Sequence, residues 1–599
     1  MFAYLASNDP RRAHHCDAVV RRLAEQCGTL VPKIRSLSIP NFRLTFFDTG
    51  NDLRVYKDER YLLLLSGTIL NKEAIQVELG CSSENEAELI FRLYQRGKKH
   101  LSKLDGHLSF LLFDAATQKV TLMGDRFHRY SVVYLVAEST YVSSHSSLLY
   151  PFLDNKTLDM DAYSQSVHFR WLTGEKRLFT GIHQVLPGSL THIDKQGDTR
   201  RDVYFRLAFQ REENLDQDYW IQQTDTALDK TMSLIAKKHD VIGVPLSGGV
   251  DSSLMLAKAK EHFPECVAVT ARFLDGENPE LDNARYVAKK LGVRHIIADI
   301  DDNFVRDMFP ELVRLHEQPP RNFSDIALAK TLQMLSTEVD AFLYGEAADT
   351  FFGLSCIHRI LAANRKSTLF RQLPWFLQNL SAKLVPERSE RFRRLKYILA
   401  GGIDALVYSV EKITYVTPPS QMYRCSKSPR ADQELIKYLE HQRLPLGDRA
   451  TIQMLSTGVM NHIENTGRLA TYYGLQMYVP FTLNDPRSVA ARLPLEMQNK
   501  NGVYKKVLRE LACRYFDREF IYSEKFGFPT PTKQWLKGPL GERVQRSIQG
   551  TGAASRYYMA DRLSTLSIDQ DFAHFWFAIC LDELILQANM QSDKVLVAA

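Results

Sequence analysis

Cysteine is scarce in this 599-residue chain: eight residues, Cys16, Cys27, Cys81, Cys266, Cys356, Cys425, Cys513 and Cys580, with no Cys-x-x-Cys pair. Thiols scattered in this way offer neither zinc-ligand spacing nor a disulfide framework, so reduced structural cysteines are expected. Long apolar runs are missing as well. No stretch approaches the roughly 20 residues a membrane helix requires, and Met1-Phe2-Ala3-Tyr4-Leu5-Ala6-Ser7 gives way to polar and basic residues too soon for a signal peptide. A cytoplasmic protein with no membrane association is expected. A strong charge bias is also absent. The formal net charge of +6 is modest for this length and does not call for a nucleic-acid partner. The positive excess clusters at Arg365, Lys366 and Arg371 and again at Arg388, Arg391, Arg393, Arg394 and Lys396. A solvated helical face is the plain reading of that stretch, and a docking surface for an acidic partner is the alternative. Internal repeats and low-complexity tracts do not occur, which removes solenoids. What is present, 45% hydrophobic and 24% charged residues, is material for at least two globular cores.

The texture changes along the chain. The first 200 or so residues read as short strands separated by turn signals, among them 61–67, 108–114, 120–123 and 131–136, which favours a layered β-rich domain. From about Trp220 the pattern alternates. A helix over 224–237 precedes an apolar strand at 241–246, and a strand at 266–270 precedes a helix over 283–292, an order that specifies a parallel sheet covered by helices. The polar segment Arg211-Glu212-Glu213-Asn214-Leu215-Asp216 reads as the linker, and the chain beyond about residue 355 reads as mainly helical. The fold class is therefore α/β. A β-rich domain over 1–210 precedes a parallel-sheet domain with a helical C-terminal part over 217–599.

The most informative segment is the junction Val241-Ile242-Gly243-Val244-Pro245-Leu246 with Ser247-Gly248-Gly249-Val250-Asp251-Ser252-Ser253. An apolar strand enters a small-residue loop that opens a helix, and such a turn suits pyrophosphate. Gly248 and Gly249 let the backbone approach a polyanion, Ser247, Ser252 and Ser253 add hydroxyl donors, and the helix directs unpaired amides at the ligand. Asp251 would repel phosphate unless a cation lay between them, which makes it a Mg²⁺ ligand candidate. The Gly-Lys-Ser/Thr ending of a Walker loop is missing, so γ-phosphate transfer is disfavoured. A capped strand-to-helix turn is the bland alternative.

A second junction, Tyr344-Gly345-Glu346-Ala347-Ala348-Asp349, supplies two more carboxylates where a doubly wound sheet places its ligands, at the carboxyl ends of strands. Asp349 is a candidate to share the metal with Asp251, and Glu346 is left for proton work. Helix capping is the alternative for both acids. Further on stand Tyr504-Lys505-Lys506-Val507-Leu508-Arg509 and Ser523 to Pro529.

On these segments the whole chain resembles the asparagine-synthetase family, which joins a class II, Ntn-hydrolase-like glutamine amidotransferase domain to an ATP-pyrophosphatase domain. Leu104-Asp105-Gly106 through Asp114 and Gly124-Asp125-Arg126 resemble its amidotransferase half, and Ser247 to Ser253, Gly345 to Asp349 and Tyr504 to Arg509 its synthetase half. The resemblance implies ATP and Mg²⁺, with Asp251 and Asp349 on the metal, Glu346 beside the reacting centre and Lys505 neutralising charge during adenylation and acyl transfer.

The departures matter as much. Glutamine-using relatives begin, after Met removal, with a nucleophilic cysteine whose own amine serves as base. Phe2 stands in that place, and Ser66-Gly67-Thr68 stands where the glutamine pocket has Asn-Gly-Glu. The glutaminase is therefore expected to be dead and its domain kept as a support or docking element. The attacking nitrogen must then come from the substrate, as in β-lactam synthetases and lasso peptide cyclases. The β-lactam branch carries a tyrosine at the position of Glu346, so the resemblance points to the macrolactam-forming branch. It implies a precursor peptide as substrate, with a leader peptidase and a leader-binding protein as partners. An unperturbed glutamate, at about 4.3, is a poor base for an α-ammonium at about 8, a gap of roughly 5 kcal/mol that shrinks once nitrogen is bonding to carbon. Glu317-Gln318-Pro319-Pro320 and the stretch around Arg391 are candidates to line the peptide's approach. An asparagine-synthetase-like or β-lactam-synthetase-like ligase and a tRNA-modifying ATP-pyrophosphatase are the competing expectations.

Overall fold

The computed structural model describes residues 2–9, 12–25, 33–49, 52–169, 171–274, 278–320, 322–353, 372, 419–425, 444–500, 503–523 and 530–596. The basic cluster at 365–396 and the residues 524–529 lie outside the described residues. Twelve strands, all between residues 2 and 203, form two antiparallel sheets. The first has the order β10 (Ile182–Gln184), β8 (Val133–Val136), β9 (Thr140–Ser143), β1 (Phe2–Ser7), β3 (Phe42–Asp48), β2 (Arg35–Ile39). The second has the order β12 (Thr199–Val203), β11 (Ser189–Ile193), β7 (Lys119–Met123), β6 (Leu108–Asp114), β5 (Tyr61–Gly67), β4 (Leu53–Lys57).

Two inner strands of the second sheet, β5 and β6, are apolar without alternation, and both of their faces are covered. Leu62, Leu64, Leu111 and Phe113 meet Tyr4, Phe42 and Leu44 of the first sheet. Leu63, Leu65, Phe110 and Leu112 pack instead on Leu89, Ile90 and Leu93 of the Glu86–Arg96 helix. The first sheet is covered in turn by Val19, Val20 and Leu23 of the Ala13–Glu25 helix, which share a core with Ala3 and Leu5. The result is a helix, sheet, sheet, helix stack. The outer helices were not read from the sequence: a continuous apolar run marks a strand covered on both faces but does not say which element covers it.

The second half holds a five-stranded, fully parallel sheet of order β15 (Arg294–Ile300), β14 (Glu265–Phe273), β13 (Val241–Pro245), β16 (Ala341–Leu343), β17 (Gln476–Tyr478). Strand order runs outward in both directions from β13. The gap between β13 and β16 is thus a topological switch point, where the chains leaving the two strands diverge and open a crevice. Beyond residue 444 the described chain is mainly helical, ending in the Ile568–Leu596 helix. None of the described helices is long and apolar enough to cross a membrane.

Arg211, in the segment that joins β12 to the Gln217–Ala236 helix, is held on the second half: its guanidinium pairs with Asp448 at 2.6 Å and donates to the carbonyls of Ala490 at 2.7 Å and Leu493 at 2.5 Å. One expectation is corrected here. Glu317-Gln318-Pro319-Pro320 lines no open approach, since all four residues are buried. Glu317 accepts the amides of Ser146 at 2.9 Å and Ser147 at 2.8 Å and pairs with Arg468 at 2.5 Å. Arg468 also reaches Glu464 at 3.0 Å, and Glu464 pairs with the buried Arg177 of the first half. Burial disfavours charge on Glu317, yet the Arg468 guanidinium, His145, the Ser147 amide and Arg177 together outweigh it and hold the carboxyl down at about 2. Removing one member of such a buried network strands an uncompensated charge, which typically costs about 3–5 kcal/mol. The two halves are locked together by charges that cannot be separated cheaply.

Candidate active site

The loop after β13 is built by its own small residues. Gly248 takes φ +73°, and a Cβ there would meet Cβ of Asn283 at 2.6 Å and the amide of Ala284 at 2.7 Å, so glycine is required by both conformation and space. Gly249 caps the Val250–His262 helix. Ser252 Oγ donates to the Gly249 carbonyl at 3.2 Å and lies 3.1 Å from Ser247 Oγ, while the Ser247 amide donates to Ser252 Oγ at 3.2 Å. Ser247, Asp251 and Ser252 face a cavity of about 350 Å³ at the switch point. Ser253 does not: helical phase turns it inward, it is fully buried, and its hydroxyl has no hydrogen-bond partner among the described residues.

The loop after β16 faces the same cavity with Gly345, Glu346 and Asp349. Gly345 packs against Asp251, with 3.4 Å between an added Cβ and that of Asp251. Ala347 is held at φ +71° and Lys505 at φ +54°, two non-glycine residues in the left-handed region, the kind of local strain that functional sites retain. Gly353 permits the second. A Cβ there would lie 2.5 Å from the Lys505 amide.

Lys505 is the residue that joins the loops. Its Nζ lies 2.5 Å from Asp251 Oδ2 and 2.6 Å from Asp349 Oδ1, with only 8% of the side chain exposed. Burial works against its charge, but the two carboxylates outweigh burial and hold the amine above its ordinary value, so it is an ammonium. The two aspartates expected to share a metal are thus bridged by a lysine in this structure. Lys505 also lines a second recess of about 50 Å³ with Gly248, Gly249 and Arg509. Two cations and the loop glycines line this recess, together with Glu280, which borders both cavities. The larger cavity is lined by the carboxylates Asp251, Glu280, Asp325, Glu346 and Asp349, and among its described lining residues there is no lysine or arginine.

Glu346 sits on the cavity wall with 23% of its side chain exposed, and its Oε2 lies 2.8 Å from His462 Nδ1. The other imidazole nitrogen faces Tyr344 Oη at 3.2 Å and Asp325 Oδ1 at 3.9 Å. Burial, and after it the Glu346 carboxylate, keeps the Tyr344 phenol well above its ordinary value, so it remains protonated. Neither His462 nor Asp325 was singled out from the sequence. They lie on helices Met460–Tyr472 and Asp325–Leu335, and no local spacing connects them to Glu346.

A pyrophosphate-type loop and an acid-lined cavity meeting at the switch point of a parallel sheet define the class: an ATP-dependent carbon–nitrogen ligase. More particularly, the chain belongs to the asparagine synthase family, whose sequence profile, described as Asparagine synthase, matches residues 223–576, and a second profile, described as Glutamine amidotransferase domain, matches residues 8–205. Its relatives include asparagine synthetase [glutamine-hydrolyzing] 1 of Bacillus subtilis, 24% identical over 533 residues that span 85% of this chain and 82% of that protein. A putative asparagine synthetase [glutamine-hydrolyzing] of Mycobacterium tuberculosis is 23% identical over 536 residues, 84% of this chain and 79% of its own. A solved structure of the allosteric regulatory enzyme of purine biosynthesis aligns with 50% of this chain and 80% of its own at 11% identity, with a TM-score of 0.24.

Proposed function

We propose that this ligase closes a macrolactam within a lasso-type precursor peptide, joining an Asp or Glu side chain to the peptide's own N-terminal amine without hydrolysing glutamine. Phe2 carries the reading. At the place of the relatives' cysteine it is 6% exposed and its ring lies 5.8 Å from that of Tyr130, whose hydroxyl donates to Asp52 at 2.8 Å. Beside it Gly67 is packed so closely that a Cβ would meet the His107 carbonyl oxygen at 2.1 Å and the Tyr130 ring at 2.9 Å. Aromatic packing fills the position that a nucleophile would need. The large cavity supports a peptide-borne acid over free aspartate. Free aspartate brings an α-carboxylate that needs a cation, and the described wall offers carboxylates instead; in a peptide the same group is an amide and carries no charge.

In the reaction a substrate carboxylate oxygen attacks the α-phosphorus of ATP and the bond to pyrophosphate breaks. Loop amides at Gly248 and Gly249, with Lys505 and Arg509, receive the departing charge, and positioning with electrostatics supplies most of the rate. Two carboxylates that converge from separate loops on one cation are a donor set that suits Mg²⁺. Asp251 and Asp349 would hold that ion, which would draw charge from the phosphates. The amine then displaces AMP from the acyl carbon, with Glu346 as proton acceptor. A leader peptidase and a leader-binding protein would deliver the peptide.

Synthetic peptides with a free N-terminus and one internal Asp or Glu test the reading. Pyrophosphate exchange into ATP and a product lighter than the peptide by one water are expected. Exchange with aspartate and ammonium alone, yielding asparagine, would contradict it.

A further inference from the structure

Glu346 alone is an awkward base. It stands on a turn, partly exposed, with nothing in its own loop to fix which oxygen meets the substrate. We infer that His462 is the positioning residue that does so, an inference that rests on the amide-forming reading of this cavity. Glu346 Oε2 lies 2.8 Å from His462 Nδ1, so one carboxylate oxygen is engaged and Oε1 is left to face the amine. Donation from Nδ1 to Glu346 requires Nε2 to accept, and the partly buried, protonated Tyr344 phenol 3.2 Å from Nε2 is the donor that this arrangement assigns to it. Asp325, from the Asp325–Leu335 helix, faces the same nitrogen at 3.9 Å, and His316 lies behind Asp325 at 3.7 Å, kept neutral by burial.

The platform is rigid. His462 occupies the first turn of the Met460–Tyr472 helix, and two turns of that helix carry Glu464 and Arg468, which are clamped to Arg177 and Glu317. A side chain on this helix holds Glu346 more firmly than any group on the strained turn at Ala347 could. During amide formation the amine lone pair forms the C–N bond, the acyl C–O bond breaks with its electrons leaving on AMP, and the N–H proton passes to Glu346 Oε1. His462 keeps its proton throughout.

The test uses the full-length protein with N-acetylated synthetic peptides bearing one Asp or Glu, so that an added amine is the nucleophile. Methylamine is mostly protonated near neutrality and needs a base, whereas hydroxylamine arrives unprotonated. His462→Ala is expected to keep most pyrophosphate exchange and hydroxamate formation while methylamide formation falls on the order of 10²-fold. His462→Asn, which restores a donor near the place of Nδ1, is expected to recover most of that loss. Equal loss of exchange and both products would make His462 merely structural and overturn the inference, and so would an Asn variant as impaired as Ala. If no peptide supports exchange in the parent enzyme, the peptide reading fails by itself. The same two nucleophiles with aspartate then decide the role of His462.

Discussion

Lys505→Ala is expected to lower pyrophosphate exchange on the order of 10³-fold, the largest effect of any single substitution in this site. Lys505 is a nearly buried ammonium held by Asp251 and Asp349 and bordering the recess that the Ser247–Gly249 loop shares. A charge removed from water acts on a departing pyrophosphate at close to full strength, because little solvent screens it. Its loss also leaves two carboxylates facing each other across the site, which repels the same phosphates. Lys505→Met, which keeps the stem and loses the charge, separates electrostatics from packing and should be almost as inactive. A cooperative thermal melt that shows both variants folded, with exchange lost in both, is the predicted pair of results. Exchange within about tenfold of the parent would remove Lys505 from the chemistry.

Glu346→Gln should behave differently. Glutamine preserves the size of the side chain and an oxygen or amide toward His462 Nδ1, yet it cannot take a proton. Adenylate formation, read as pyrophosphate exchange, should survive. Amide formation should slow by about 10²- to 10⁴-fold, the usual contribution of a placed base. Rapid-quench measurement of acyl-adenylate would then show the intermediate accumulating. Equal loss of both steps would mean that Glu346 acts before the adenylate forms, and the proton-acceptor role would be withdrawn.

How much of this was legible in the sequence differs between scaffold and site. The bounds of β5 and β6 were readable because their apolar runs end at turn residues, and the Ser247–Ser252 loop was readable because its small residues are consecutive. The parallel sheet followed from alternating strand and helix patterns, whereas its strand order, and with it the switch point, did not. Contacts between distant segments were hidden. Lys505 reaches Asp251 across 254 positions and His462 reaches Glu346 across 116, and neither separation leaves a local pattern. The burial of Ser253 was not legible for a simpler reason. The loop motif reads as a line of hydroxyls, but once the helix begins, each residue turns by about 100°, so two adjacent serines face different ways. Glu317 was read as lining an open approach because charged residues usually face solvent. It is buried here because Arg468, distant in sequence, supplies the opposite charge.

The central claim is that the ATP-driven half operates without nitrogen from glutamine, since an aromatic side chain is packed where a thiol would have to attack. The decisive measurement is glutamate release by the purified full-length protein supplied with ATP, Mg²⁺, glutamine and the peptides that support exchange. No release above the uncatalysed background is expected, with AMP and cyclised peptide forming equally well when glutamine is left out. Enzymatic release of glutamate, or product formation that requires glutamine, would contradict the account.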